Sequence, residues 1–474
     1  MRRPTLLALS LVAACSDTPA PAGEASTGGQ ASTGDLPGTS GEPPTTTAPT
    51  TGAPTSTCGS GDASDSHSTG ASTGVPACDP QALALVERDF IAKDSPVSDA
   101  ELAPCSEDRW YFAAPSESTL EIKLRRKAGG GLVSAAVAYP DELPADVWSA
   151  ALLPPIVSDG GDKSAIFPVP RSGEFALHVT TDAPDLAAAY DLDIRCILGC
   201  ERETTRFPIL LVHGWTGFEA IGPLTYFFNV ADTLAELGYP YTVAVLDPYN
   251  STDVRSGQLA LQLDETLVEW RARKVDLLGH SQGGIDSRAV VSTLGYGDRV
   301  SALMTIASPH RGTYVTDLAL GLAPGAVEQA VGALLNFVGA VTAQQKSDAL
   351  ASFYSLSEQY MTEEFNPKNP DDPRVEYISY TGRTCDALAF LDPENDCQDL
   401  VDPLIGWSWT ILDQARGPND GLVTVESAKW GDYRGEMIAD HIDEVGQILG
   451  VTDPKFKHLD FYRDRARELA AGQH

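Results

Sequence analysis

Short runs of alternating apolar and polar residues fill the stretch from Cys78 to Cys200, at positions 109–112, 119–124, 133–138, 165–169, 174–179 and 190–194. Successive side chains of a strand point to opposite faces, so these runs, with turn residues between them, predict half-buried antiparallel strands. A small all-β sandwich over residues 78–200 follows. From Glu201 the pattern changes. Largely apolar runs at 209–212, 241–246, 275–278 and 303–306 alternate with helix-length segments. Strands with apolar residues on both faces are buried on both, which predicts a parallel sheet covered by helices and a single α/β domain over residues 201–474.

The amino-terminal end has neither pattern. Met1-Arg2-Arg3 and the apolar run 6–14 form a charged region and a core far too short to span a bilayer, so residues 1–15 read as an export signal. The run ends in Val12-Ala13-Ala14-Cys15, which resembles the bacterial lipobox and implies a lipidated Cys15 anchoring an exported lipoprotein to a membrane, at the outer membrane or cell surface. Residues 16–77 are almost all Ser, Thr, Gly, Pro, Ala and Asp, too poor in apolar side chains to form a core. They are expected to be a disordered tether with a root-mean-square span of roughly 45 Å. Export places Cys58, Cys78, Cys105, Cys196, Cys200, Cys385 and Cys397 where pairing is favoured, and the odd number leaves one unpaired. A net charge of -33 excludes a nucleic-acid partner, which would need a basic surface.

Gly279-His280-Ser281-Gln282-Gly283 fits G-x-S-x-G, and its context gives it weight: an apolar strand at 275–278 precedes it and a helix-compatible segment follows. A strand-to-helix elbow needs small residues beside the serine, so that a strained backbone can lift Oγ into the site. Ser281 is the candidate nucleophile of an α/β-hydrolase fold. The strand 209–212 ends in His213-Gly214-Trp215-Thr216-Gly217, a turn able to aim backbone amides at a developing oxyanion, and the residue after the nucleophile supplies the second donor. Trp215 and Gln282 are the expected pair. In this fold the acid and then the histidine follow the serine. His310 comes too early to leave room for an acid, His458 lies in a charged final helix and His474 is the last residue, so His441 remains. For the acid, Asp420 in the turn Gly417-Pro418-Asn419-Asp420-Gly421 competes with Asp247 and Asp402, because Asn-Asp-Gly is ordinarily only a turn.

With these residues placed, the region from Phe207 to about Asp460 resembles the secreted true lipases of Burkholderia and Pseudomonas. The matching stretches are 208–217, 278–284, 305–312, 346–350, 417–423, 441–444 and 447–451. The resemblance implies that Asp420 and His441 complete a triad with Ser281, and that the substrate is a lipid ester, the triacylglycerol type above all, met at an oil–water or membrane interface. It also implies a structural Ca²⁺ held by the carboxylates of Asp402 and Asp443 and by the carbonyls of Gln447 and Val451, a mobile helical lid within the nearly uncharged segment 315–341, and a dedicated foldase as a partner. Residues 104–112, 172–179 and 190–192 resemble the pre-peptidase C-terminal domain of secreted bacterial hydrolases, an accessory module. The cysteines depart from the lipase pattern: Cys385 with Cys397, and Cys105 with Cys196, are the pairings expected instead. A triad fixes acyl transfer but not the acyl group, so an esterase, phospholipase or polyester hydrolase uses the same residues. A surface-tethered binding protein is the reading from another class, and an intact nucleophile, acid and base argues against it.

Overall fold

The computed structural model describes residues 78, 83–92, 94–215, 226–323, 348–385, 400–453 and 455–472. The export signal with Cys15, the tether 16–77 with Cys58, Thr216 and Gly217, residues 324–341 of the lid segment, Lys346, Ser347 and Cys397 lie outside the described residues.

The first part is a sandwich of two sheets. One has the order β1 (Ala84–Phe90), β3 (Ser106–Ala114), β8 (Gly173–Thr181), β5 (Val133–Ala138), β6 (Ile156–Ser158); the other has β2 (Val97–Leu102), β9 (Ala188–Leu198), β4 (Thr119–Gly129), β7 (Lys163–Pro168). Their facing side chains form one core, in which Phe175 stacks on Phe112 at 5.6 Å and meets Phe167 edge-on at 5.3 Å. Two features depart from half-buried antiparallel strands. β1 runs parallel to β3, because the chain crosses to β2 in the opposite sheet before returning. The second departure is that β3 and β8 are buried on both faces. Their outer face carries a satisfied polar cluster, in which His178 bonds Glu107 and Arg109 while Glu87 takes Arg109 at 3.2 Å and the Tyr111 hydroxyl at 2.7 Å.

The expected bridge between Cys105 and Cys196 is not formed. Cys105 pairs with Cys78, and Cys196 with Cys200 four residues on. Each bridge closes the nearest loop, a choice that spacing alone could not decide. Cys385 is also disulfide-bonded.

The second part is built on six strands in the order β11 (Tyr241–Val243), β10 (Ile209–Val212), β12 (Val275–His280), β13 (Val300–Ile306), β14 (Glu376–Gly382), β15 (Asp432–Met437), all parallel. Every residue of β10 and β12 is buried, as their apolar runs require. β11 ends at Val243, short of the expected 246. Helix α2 (Thr252–Glu269) takes over the hydrogen bonding there: Gln262 accepts from the Val245 amide and Gln258 from that of Asp247, each at 2.8 Å. The other helices framing the site are α1 (Val230–Leu237), α3 (Gln282–Val291), α4 (Tyr314–Ala319), α5 (Ala349–Ser355), α6 (Gly406–Arg416) and α7 (His458–Gly472). Among the described residues no helix is long and apolar enough to cross a membrane.

The sandwich is fastened beneath this sheet. Glu174 at the start of β8 is buried and accepts from Arg206 and, through two bonds of 2.9 and 3.0 Å, from Arg273, whose guanidinium lies 3.7 Å over the Tyr111 ring. Arg273 lies two residues before β12, so the contact is made at the amino end of that strand, opposite the end that bears Ser281.

Candidate active site

Ser281 sits between β12 and α3 with φ 56 and ψ -129, a conformation that costs a non-glycine residue about 1–3 kcal/mol. Its surroundings hold it there. Its amide donates to Ile306 O at 2.9 Å, and Gly283 packs so closely on Val212 O that any Cβ would collide. This is the physical reason for glycine on the far side of the serine. Gly214 approaches from β10: a Cβ there would lie 2.5 Å from the Ser281 Cβ.

The turn that follows β10 is fixed through its carbonyls. The His213 Nε2 accepts from Leu246 N–H at 2.9 Å, so the ring carries its proton on Nδ1 and donates it to Gly214 O at 2.9 Å. Burial, aided by nearby Arg255, pushes His213 down to about 3, keeping the ring neutral. Arg255, wholly buried, donates to His213 O at 2.6 Å and to Asp286 at 2.7 Å. Trp215 therefore lies on a turn whose peptide planes are pinned, directly beside the serine. Gln282 opens α3, so its amide is one of the first-turn N–H groups that have no partner within the helix.

His441 and Asp420 are brought together. His441 Nδ1 lies 2.8 Å from Asp420 Oδ2, and the His441 amide donates to Asp420 O at 2.9 Å. The other carboxylate oxygen of Asp420 accepts from the amides of Leu422 and Val423 at 2.8 and 2.7 Å, so one residue both builds the Asn-Asp-Gly turn and meets the imidazole. Asp420 is fully buried; His441 and Ser281 each keep 6% exposure. The His441 ring centroid is 4.6 Å from that of His280, the neighbour of Ser281. Asp247 accepts instead from Tyr249 N and Asn250, and Asp402 from Leu404 N.

Three residues to which the sequence assigned no role complete the centre. Tyr226, hydrogen-bonded to the Gly214 backbone, lies 2.6 Å from His280 Nδ1, and His280 Nε2 lies 2.7 Å from Glu444 Oε2. All three are buried. Burial and the charges of Asp420 and Asp440 hold the Glu444 carboxyl well above its usual range. Its place three residues after His441 was the only sequence signal. His280, His441 and Glu444 form the one trio of potential metal ligands among the described residues. The four residues expected to hold calcium surround the same loop. Asp443 Oδ2 accepts from Asp453 N at 2.8 Å, Gln447 N donates to Ile442 O and Val451 N to Ile448 O. Asp402 N donates to Asp440 Oδ2 at 2.6 Å. His458 opens α7 and bonds Phe228 O, while His310 is buried between Arg288 and Thr305, so each ring is engaged by groups other than Asp420.

A parallel sheet carrying a strained serine at a strand-to-helix turn, beside a glycine-bearing turn from the adjacent strand, defines an α/β hydrolase. Comparison with known proteins narrows this. A family described as palmitoyl protein thioesterase matches residues 208–366. A triacylglycerol lipase of Vibrio cholerae is 32% identical over 293 residues, which cover 56% of this chain and 88% of that one. One from Burkholderia plantarii is 27% identical, over 52% and 81% of the two chains. The pre-peptidase C-terminal domain of a collagenase from Bacillus anthracis aligns with 23% of this chain and 97% of its own at 14% identity, with a TM-score of 0.20. The chain belongs to the triacylglycerol lipase family, and it is a carboxylic ester hydrolase.

Proposed function

We propose that Ser281 is the nucleophile, His441 the general base and acid, and Asp420 the group that orients His441, in hydrolysis of triacylglycerols at a lipid surface. The observation that carries this reading is the 2.8 Å contact of His441 Nδ1 with the buried Asp420 carboxylate, on a chain whose Ser281 occupies a strained elbow. In this mechanism Ser281 Oγ attacks the ester carbonyl while His441 takes its proton. The oxyanion receives N–H groups of Trp215 and Gln282. Collapse breaks the bond to the alcohol, which leaves with the proton from His441, and water releases the fatty acid by the same steps in reverse roles.

Two further parts belong to the proposal. Asp402 and Asp443, with the carbonyls of Gln447 and Val451, would hold a Ca²⁺ that keeps the His441 loop in register. What supports this reading is the chemistry of the donor set, two carboxylates and two carbonyls, on residues of the His441 loop and of the Asp402 turn hydrogen-bonded to it. Export with lipidation at Cys15 would tether the enzyme to a membrane. Hydrolysis of emulsified triacylglycerol against soluble esters by the full chain and by Ser281→Ala tests the central claim; equal activity of the two would refute it.

A further inference from the structure

The side chain of Gln282 does more than follow the serine. Its Nε2 donates to Asn250 O at 3.0 Å and its Oε1 accepts from the Ser352 hydroxyl at 3.1 Å. Asn250 is the neighbour of Tyr249, and Ser352 of Phe353. Both rings, almost completely buried, pack on Trp215: Tyr249 edge-on at 5.4 Å and Phe353 tilted at 5.2 Å. Trp215 in turn follows Gly214, which lies against Ser281. The three rings thus stand around the elbow itself.

The strand order gives them a side. Trp215 follows β10 and Tyr249 lies after β11, on one flank of β12; His441 follows β15, on the other. In acyl transfer the histidine hands its proton to the departing alcohol, so the alcohol portion of the ester lies on the His441 flank and the acyl chain extends away from it. Trp215 and Tyr249 lie on that side, with Phe353 packed on Trp215.

We infer that Trp215, Tyr249 and Phe353 form a wall that closes the acyl side of the site, so that esters of short- and medium-chain acids are preferred to those of long-chain acids. This rests on the assignment of Ser281 and His441 proposed above. A pocket that admits or refuses one methylene changes kcat/KM by roughly ten- to two-hundredfold, so a wall of three rings leaves a large signature.

The test compares kcat/KM of the full chain on tributyrin, tricaprylin and triolein, for wild type, Phe353→Ala and Tyr249→Ala. Wild type is expected to favour the shorter esters over triolein by about tenfold or more, and each variant to narrow that ratio by about tenfold through a gain on triolein. Phe353→Leu, which keeps apolar volume without the ring, serves if Phe353→Ala does not fold. A wild type fastest on triolein, or a ratio unchanged in the folded variants, overturns the wall. Labelling of Ser281 by an alkylphosphonate ester reports the nucleophile separately. No labelling overturns the catalytic assignment; labelling with an unchanged chain-length ratio overturns the wall alone.

Discussion

Glu444 Oε2 lies 2.7 Å from His280 Nε2, joining the loop of the catalytic-histidine candidate to the residue that precedes the serine. Tyr226 lies 2.6 Å from the other ring nitrogen, so the buried imidazole bridges the phenol and the carboxyl through both of its nitrogens. Glu444→Gln keeps a hydrogen-bonding partner in place, whereas Glu444→Ala leaves a buried ring nitrogen unpaired at a cost of about 1–3 kcal/mol. The alanine variant is therefore expected to melt well below the glutamine variant, as a thermal scan of both will show.

Ser281→Ala should lower turnover on the order of 10⁶-fold without loss of fold, because only the attacking atom is removed. Steady-state hydrolysis read beside circular dichroism checks both halves of the statement.

Asp420→Asn should retain the turn, since the amide oxygen can still accept from Leu422 and Val423, but should lower kcat by about 10⁴. The amide nitrogen would face His441 Nδ1 and favour the wrong tautomer. Full activity would return the role to Asp247 or Asp402.

This residue also shows what the sequence could and could not reveal. Asn-Asp-Gly predicts a turn, and the turn is there; that its second carboxylate oxygen meets His441 depends on β14, α6 and the His441 loop converging, which no local pattern encodes. Strands β10, β12 and β13 were legible because burial on both faces writes a continuous apolar run. Strand β15, Asp-Tyr-Arg-Gly-Glu-Met, was not, since an edge strand bears charges to deter pairing. Likewise β1 and β2 of the sandwich are too polar and exposed to alternate. The His280–Glu444 bond joins positions 164 apart, and its two residues had been seen only as neighbours of others.

His213 should make the fold sensitive to acid. Its pKa falls from 6.5 to about 3 on folding, so between those values the unfolded chain binds the extra proton and stability declines as pH drops. The decline ends only below the folded value, after a loss on the order of 5 kcal/mol. Urea midpoints from pH 7 to 4 should converge for wild type and His213→Gln as the pH falls; parallel curves would contradict the assignment.

Chelation should lower melting temperature and activity together if calcium joins Asp402 to the loop of Asp443. Binding to the folded state alone adds about 2.7 kcal/mol at a hundredfold excess of free ion over Kd. Asp443→Ala should then be indifferent to chelator. Identical melting of wild type with and without chelator, and no calcium by metal assay, would remove the ion from the proposal.

The nine residues of β3 work as a measuring rod. Near its far end Tyr111 and the paired Glu174 grip Arg273, while Cys105, bonded to Cys78, stands just before its beginning. At roughly 3.3 Å per residue the stretch from Cys105 to Tyr111 spans about 20 Å, which sets the disulfide well away from the contact with Arg273. Ser281 lies beyond the opposite end of β12. The sandwich is thus a stand rather than a second mouth: it grips the hydrolase at the amino end of β12, and the serine is carried at the other end of that strand.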